Sequence, residues 1–246
     1  MLYTALARRL LSPLIYREGM SFVPSSAAHE WPERMFLKRL LHRLEVDCVL
    51  DVGANLGQYA VELRMIGFKG LIISFEPTPS LYAQIAHWSD RHPNWITLDV
   101  ALGRESGSLQ LNEMAVSTLN SFHQPSTEET DSFAPVNKVV GTVRVRVETL
   151  NVLLPKLQAQ YGFKRPFLKM DTQGHDIAVF DGANQVHDRL VGLQSEISVK
   201  RIYENVPPWT QAIAHYEGSG FELAGLYKVN PQEPEFVELD CFMVRR

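Results

Sequence analysis

The segment 49–59, Val-Leu-Asp-Val-Gly-Ala-Asn-Leu-Gly-Gln-Tyr, constrains this chain more than any other. An apolar run (Val49, Leu50, Val52) carries a carboxylate, Asp51, and leads through a turn with Gly53 and Gly57 into a helical start. A second apolar run over 70–75 ends at Glu76 and Pro77. Strand, glycine turn, helix and a second strand tipped by an acid form a nucleoside-binding unit of the doubly wound α/β kind. The glycines let the backbone approach a ligand, and the helix start offers free N–H groups. The second acid can accept hydrogen bonds from two ribose hydroxyls.

Two cofactor classes use this layout. Dinucleotide sites seat a pyrophosphate on the helix N-terminus and want G-x-G-x-x-G. Here Asn55 stands where the second glycine would be, and Asp51 would repel a pyrophosphate. A ligand with an ammonium and no phosphate suits better, because Asp51 can pair with the amine directly or through water. S-adenosylmethionine meets these terms, with a cationic amino acid end, a ribose for Glu76 and a methyl-bearing sulfonium. A unit with no ligand is disfavoured, since Asp51 would then end a buried strand without a partner.

The chain has 246 residues, enough for one α/β domain over 46–246 after a helical extension or cap over 1–45. A net charge of −4 argues against a nucleic acid partner. Cys48 and Cys241 both lie in apolar runs and read as buried thiols in a reducing compartment, so the cytoplasm is the expected location. No run approaches the ~20 apolar residues that span a bilayer. The first 17 residues, with Arg8, Arg9 and Arg17, have an apolar side. They read as a capping helix, with peripheral membrane contact as the lesser option. A homodimer is compatible with the chain.

Further along, helices are expected over 32–44, 58–66, 79–88, 151–161, 177–183 and 208–218. Strands are expected over 47–52, 71–75, 95–101, 108–112, 142–147, 166–170 and 192–197, and a terminal hairpin over 221–229 and 237–244. The 142–147 run, with Arg144 and Arg146 between valines, reads as an edge strand, and 166–170 as a fully apolar one. The polar segment 115–137 is long enough to be functional and to cover a pocket. The sum is a doubly wound, mostly parallel seven-stranded sheet with one antiparallel strand, Rossmann-like in the manner of class I methyltransferases.

In such a sheet the ligand lies beyond the carboxyl ends of the strands. The first tip supplies Asp51, Gly53, Asn55, Gly57, Gln58 and Tyr59; the second supplies Glu76 and Pro77; the third supplies Asp99 and Ala101 for an adenine. Asp171, followed by Gln173 and His175, ends the fourth, and Glu196 and Ser198 the fifth. Methyl transfer to oxygen needs placement of donor and acceptor and removal of the hydroxyl proton. Asp171 is the first candidate base, Glu196 the second and His175 the third; Asp171 can equally hold the methionine part of the cofactor. A divalent cation on Asp171, Glu196 and Asp176 is the less favoured route. Tyr203 and Trp209 are candidate lining residues of the acceptor pocket. Asn205-Val-Pro-Pro-Trp209 approaches an amino-methylating box but is interrupted by valine, and reads as a helix start.

The chain resembles the FkbM family of S-adenosylmethionine-dependent methyltransferases. The resemblance rests on DVGANLGQY at 51–59, SFEP at 74–77, VALG at 100–103, VETLNVLL at 147–154, FLKMDTQGHDIAVFDGA at 167–183 and QSEIS at 194–198. It implies O-methylation of sugar hydroxyls or polyketide-like acceptors. It also implies cofactor binding by Asp51, Gly53, Asn55, Gly57 and Glu76, and a site role for Asp171. The family often has an acid where Gln173 stands and an aromatic where His175 stands, departures that bear on acceptor preference. Transfer to nitrogen or carbon of a small molecule, and a non-catalytic partner module that keeps the fold, remain the competing readings.

Overall fold

A computed structural model describes residues 30–126, 136–229 and 234–246. The expectations for the first 17 residues, for 127–135 of the polar segment and for the hairpin's turn at 230–233 fall outside them. The chain divides into two compact units, Met1–Leu37 and Lys38–Arg246. The first described element is helix α1 (Trp31–Arg43).

Strands β1 (Cys48–Val52), β2 (Leu71–Phe75) and β3 (Trp95–Leu98) alternate with helices α2 (Gln58–Met65) and α3 (Pro79–Ser89). Strands β4 (Ala101–Leu102), β5 (Gly107–Met114) and β6 (Val139–Glu148) follow. The rest is α4 (Leu150–Tyr161), β7 (Pro166–Met170), α5 (Asp176–Asp181), β8 (Gly192–Ser198), α6 (Trp209–Gly218), β9 (Phe221–Lys228) and β10 (Glu238–Arg245). Local chemistry sets several ends. Pro79 opens α3 in the first turn, where no N–H is missed, and the Thr149 side chain caps α4 by accepting from the Val152 N–H.

The main sheet has the order β3-β2-β1-β7-β8-β10-β9, parallel throughout except that β10 runs against both neighbours. This is the expected seven-stranded sheet with one reversed strand. Alternation along each strand gives it two unlike faces. One face is apolar along its length: Cys48, Leu50, Val52, Ile73, Phe75, Leu168, Met170, Leu193 and Ile197 join Leu154 of α4, Phe180 of α5 and Tyr216 of α6 in one buried cluster. Each such large side chain contributes about 1.5–3 kcal/mol on burial.

Three readings of the sequence need correction. The strand expected over 95–101 breaks after Leu98, and Ala101–Leu102 instead pairs with β6 in a separate three-stranded sheet of order β4-β6-β5. The 142–147 run is the centre of that sheet, not an edge. Its alternation reflects a one-sided face, with Val145 and Val147 buried and Arg144 and Arg146 exposed. Finally, 166–170 is not fully apolar: it contains Lys169, and that residue organises the site.

Candidate active site at the carboxyl edge of the sheet

The second face of the main sheet changes character along the strands. Val49 gives way to Asp51, Ile72 to Ser74, Phe167 to Lys169 and Gly192 to Gln194, and strand register sets Ser74, Asp51, Lys169 and Gln194 side by side. They form a hydrogen-bonded seam. Trp95 Nε1 donates to Ser74 Oγ (3.0 Å), which donates to Asp51 Oδ2 (2.9 Å). Lys169 Nζ lies 3.2 Å from Asp51 Oδ1 and 3.4 Å from Asp171 Oδ2. The Tyr59 ring lies 5.0 Å from that ammonium, and its hydroxyl donates to Gln194 Oε1 (2.6 Å), whose Nε2 donates to Asp240 Oδ1 (2.8 Å).

Asp51 and Lys169 are both buried. Charges taken out of water this far are tolerable only when paired. Burial works against the ammonium, but the carboxylates of Asp171, Asp51 and Glu196 outweigh it and hold the Lys169 pKa above its ordinary value. Asp51 therefore has protein partners already, and the argument that a ligand-free unit would leave it stranded does not hold.

On the β1–β2 side the backbone makes the site. Gly53, Asn55 and Gly57 all adopt positive φ (78°, 49° and 85°). A Cβ on Gly53 would stand 2.0 Å from the carbonyl oxygen of Asp171, so the turn closes directly against the neighbouring strand tip. Glu76, buried at the end of β2, hangs from two backbone N–H groups, Asn55 to Oε2 and Thr78 to Oε1, both at 2.8 Å. Burial raises its pKa and these donors pull it back. Each oxygen keeps a second acceptor position. Gln58 and Asn55 turn their side-chain oxygens to the Leu56 N–H.

On the β7–β8 side, side chains make the site. Gln173, at φ 51°, donates through Nε2 to Asp171 Oδ1 (3.1 Å) and Glu196 Oε2 (2.6 Å). The Tyr203 hydroxyl lies 2.8 Å from both Gln173 Oε1 and the Leu119 carbonyl, and Ser121 Oγ donates to the Gln173 carbonyl (2.6 Å). Burial, then the charges of Asp171, Glu238, Asp240 and Asp176, push Glu196 well above the usual carboxylate range. Asp176 is fully engaged, accepting from Thr172 N–H and Oγ1, Ser195 Oγ and the Glu196 N–H. Among the described residues, no group of three or more His, Cys, Asp or Glu is disposed to hold a metal ion.

The segment after β5 joins the two sides: Asn55 Nδ2 donates to Ser117 Oγ (3.3 Å), and Ser121 reaches Gln173 as above. His175 stands apart. Its ring lies 4.7 Å from that of Phe122, it faces Gly103, and its Nε2 is buried without a hydrogen bond. Burial, with His123 and Arg104 nearby, pushes it down to about 4, so it is neutral near pH 7 and a weak base. Asp99 is exposed, 3.7 Å from Arg146, and Ala101 is buried in the small sheet. Tyr203 is buried and positions Gln173, while Trp209 packs on the main core. Sequence reasoning passed over Lys169, Gln194, Glu238 and Asp240. A lysine two residues before Asp171 in an otherwise apolar strand was the readable signal, because such a charge needs a partner.

Fold and edge together define a Rossmann-like α/β protein of the class I methyltransferase type. Residues 51–222 match the methyltransferase FkbM domain, and the chain belongs to that family. It is similar to the hexuronic acid methyltransferase AglP of Haloferax volcanii, 27% identical over 152 residues. That match covers 61% of this chain and 56% of the relative, so the chain spans little more than half of the relative's length. Among solved structures, magnesium protoporphyrin IX methyltransferase of Synechocystis, with S-adenosylmethionine bound, is 10% identical and covers 98% of this chain and 96% of its own, at a TM-score of 0.44. Aeropyrum pernix fibrillarin, also with S-adenosylmethionine bound, is 12% identical, covers 80% and 66%, and has the same TM-score of 0.44.

Proposed function

We propose that the protein transfers a methyl group from S-adenosylmethionine to a hydroxyl of a sugar or sugar-like acceptor. The observation that carries this is Glu76, suspended from the Asn55 and Thr78 N–H groups beside the Gly53–Gly57 turn with acceptor positions to spare. Membership of the FkbM methyltransferase domain family supports the reaction, and the hexuronic acid methyltransferase relative supports a sugar as acceptor.

The cofactor's charge fits the site. Asp171, Glu196 and Asp240 share the edge with one ammonium, Lys169, which Asp51 also uses, so a net positive ligand is favoured. When bound, that cofactor supplies a methyl group on a positive sulfur. Glu76 accepts from ribose hydroxyls, and the turn from Gly53 to Gly57 admits the nucleoside. Asp171, beside the Lys169 ammonium, faces the amino acid end. Glu196, partly buried and held by Gln173 rather than by an ammonium, takes the acceptor's proton. Two carboxyls in unlike surroundings thus divide the roles.

Calorimetric titration with S-adenosylhomocysteine, followed by labelled-methyl transfer to a panel of sugars, sugar acids and polyketide-like alcohols, tests this. Saturable binding and an alkali-stable methyl ether on a sugar are expected. Absence of binding sinks the cofactor assignment, and label on nitrogen or carbon sinks the acceptor assignment.

A further inference from the structure

Strand β10 brings two more acids to the same edge. Asp240 pairs directly with Glu196 across the antiparallel β8–β10 ladder, and Glu238 pairs with Ser198 one step further out. Glu238 and Glu196 are therefore diagonal neighbours on one face, at a separation of about 7–8 Å that two glutamate side chains readily span. Glu238 is only 9% exposed, and among the described residues no hydrogen bond reaches its carboxyl, whose oxygens are not fully enclosed. A carboxyl so little hydrated, with no protein partner and an opening to the edge, is suited to hold its proton or to meet a ligand.

We propose that Glu238 is a second acid of the acceptor site, sharing one proton with Glu196, and that the pair recognises two adjacent hydroxyls of the acceptor. This rests on the methyl-transfer reading above. One acceptor O–H breaks and its proton passes to the Glu196 carboxylate. The oxygen's electron pair forms the O–CH3 bond while the S–CH3 bond breaks and leaves its pair on sulfur. Glu238, in its acid form, donates a hydrogen bond to the neighbouring acceptor oxygen. A vicinal diol, common on sugars, offers that pair of oxygens.

The surroundings support an acid-form Glu238. Burial, then the charges of Asp171, Asp240 and Asp176, push it up to about 8. Glu196 and Tyr203 in turn feel its charge. Lys169, on this face, is committed to Asp51 and Asp171. On the outer side Lys200 is paired with Glu235, and Lys228 lies over the Phe236 ring.

The test is a pH titration of the full chain carrying carboxyl-13C glutamate, for wild type, Glu238→Gln and Glu196→Gln. Expected is a glutamate carboxyl titrating near 8 that vanishes in Glu238→Gln. The Glu196 midpoint should fall in that variant, and the Glu238 midpoint should fall in Glu196→Gln, since each loses a like charge. With an acceptor in hand, Glu238→Ala should raise KM about 10-fold more for a vicinal diol than for a lone alcohol. Midpoints that do not respond to the partner's substitution overturn the pair, and equal effects on diol and lone alcohol overturn the recognition. Failure of S-adenosylhomocysteine to bind would remove the methyl-transfer reading while leaving the titration result standing, so the two failures are distinguishable.

Discussion

At the Gly53–Gly57 turn the protein builds its site from backbone; at β7, β8 and β10 it builds it from side chains. The first side needs glycine and a left-handed asparagine, and it holds Glu76 with two main-chain N–H groups. The second needs Gln173 to bridge Asp171 and Glu196, and Tyr203 to hold Gln173. A backbone-built site is rigid and local, because its donors come with the chain path. A side-chain site can be retuned one residue at a time, so in the function proposed above acceptor choice falls to the second side and cofactor binding to the first. Lys169 touches both, through Asp51 and Asp171.

That division is testable. Gly53→Ala should do most damage, because the new Cβ meets the Asp171 carbonyl at 2.0 Å and φ is 78°. We expect S-adenosylhomocysteine affinity to drop about 10²-fold and stability by at least about 2 kcal/mol, read by calorimetry and urea denaturation. Retained affinity would show that the two sides are not joined through backbone contact. Glu196→Gln should lower kcat by about 10²–10⁴-fold while leaving S-adenosylhomocysteine affinity within about 2-fold. A parallel loss of affinity would mean that Glu196 serves the cofactor.

Lys169→Met strips the ammonium from Asp51, which is 0% exposed, and should cost about 3 kcal/mol in urea unfolding. A neutral result would mean that the seam tolerates an unpaired carboxylate. The mildest effect is expected from Glu238→Gln, with opposite sign. The folded pKa of about 8 lies above the ordinary 4.5, so between those values the folded state holds a proton that the unfolded chain has lost. Stability contributed by Glu238 is therefore complete at low pH and lost as pH rises to about 8. The variant should melt higher than wild type in mildly alkaline buffer and equally in acid; a lower melt in alkali would show a charged, stabilising Glu238.

The same contrast explains what could be read beforehand. The glycine-turn side was legible in its geometry because its parts lie within one βαβ unit, where glycine placement and a strand-tip acid follow from the local sequence. Asp171 and Glu196 were legible as strand-tip acids. Lys169 was missed because one charge in an apolar run was averaged away, and Glu238 and Asp240 because β10 was read only as half of a hairpin. Asp99 and Ala101 were assigned to one strand tip, whereas the chain leaves the main sheet after Leu98 and Ala101 pairs with Val147.

Alternation and punctuation in the amino-acid order determine the strands, the helices, the glycine turn and the family, since these follow from interactions between residues near in the chain. Which acids share a proton, which one an ammonium restrains, and that Gln173 stands between Asp171 and Glu196 depend on strand order and register. Those decide which charges become neighbours in a medium where a few ångströms separate a stabilising pair from a costly one.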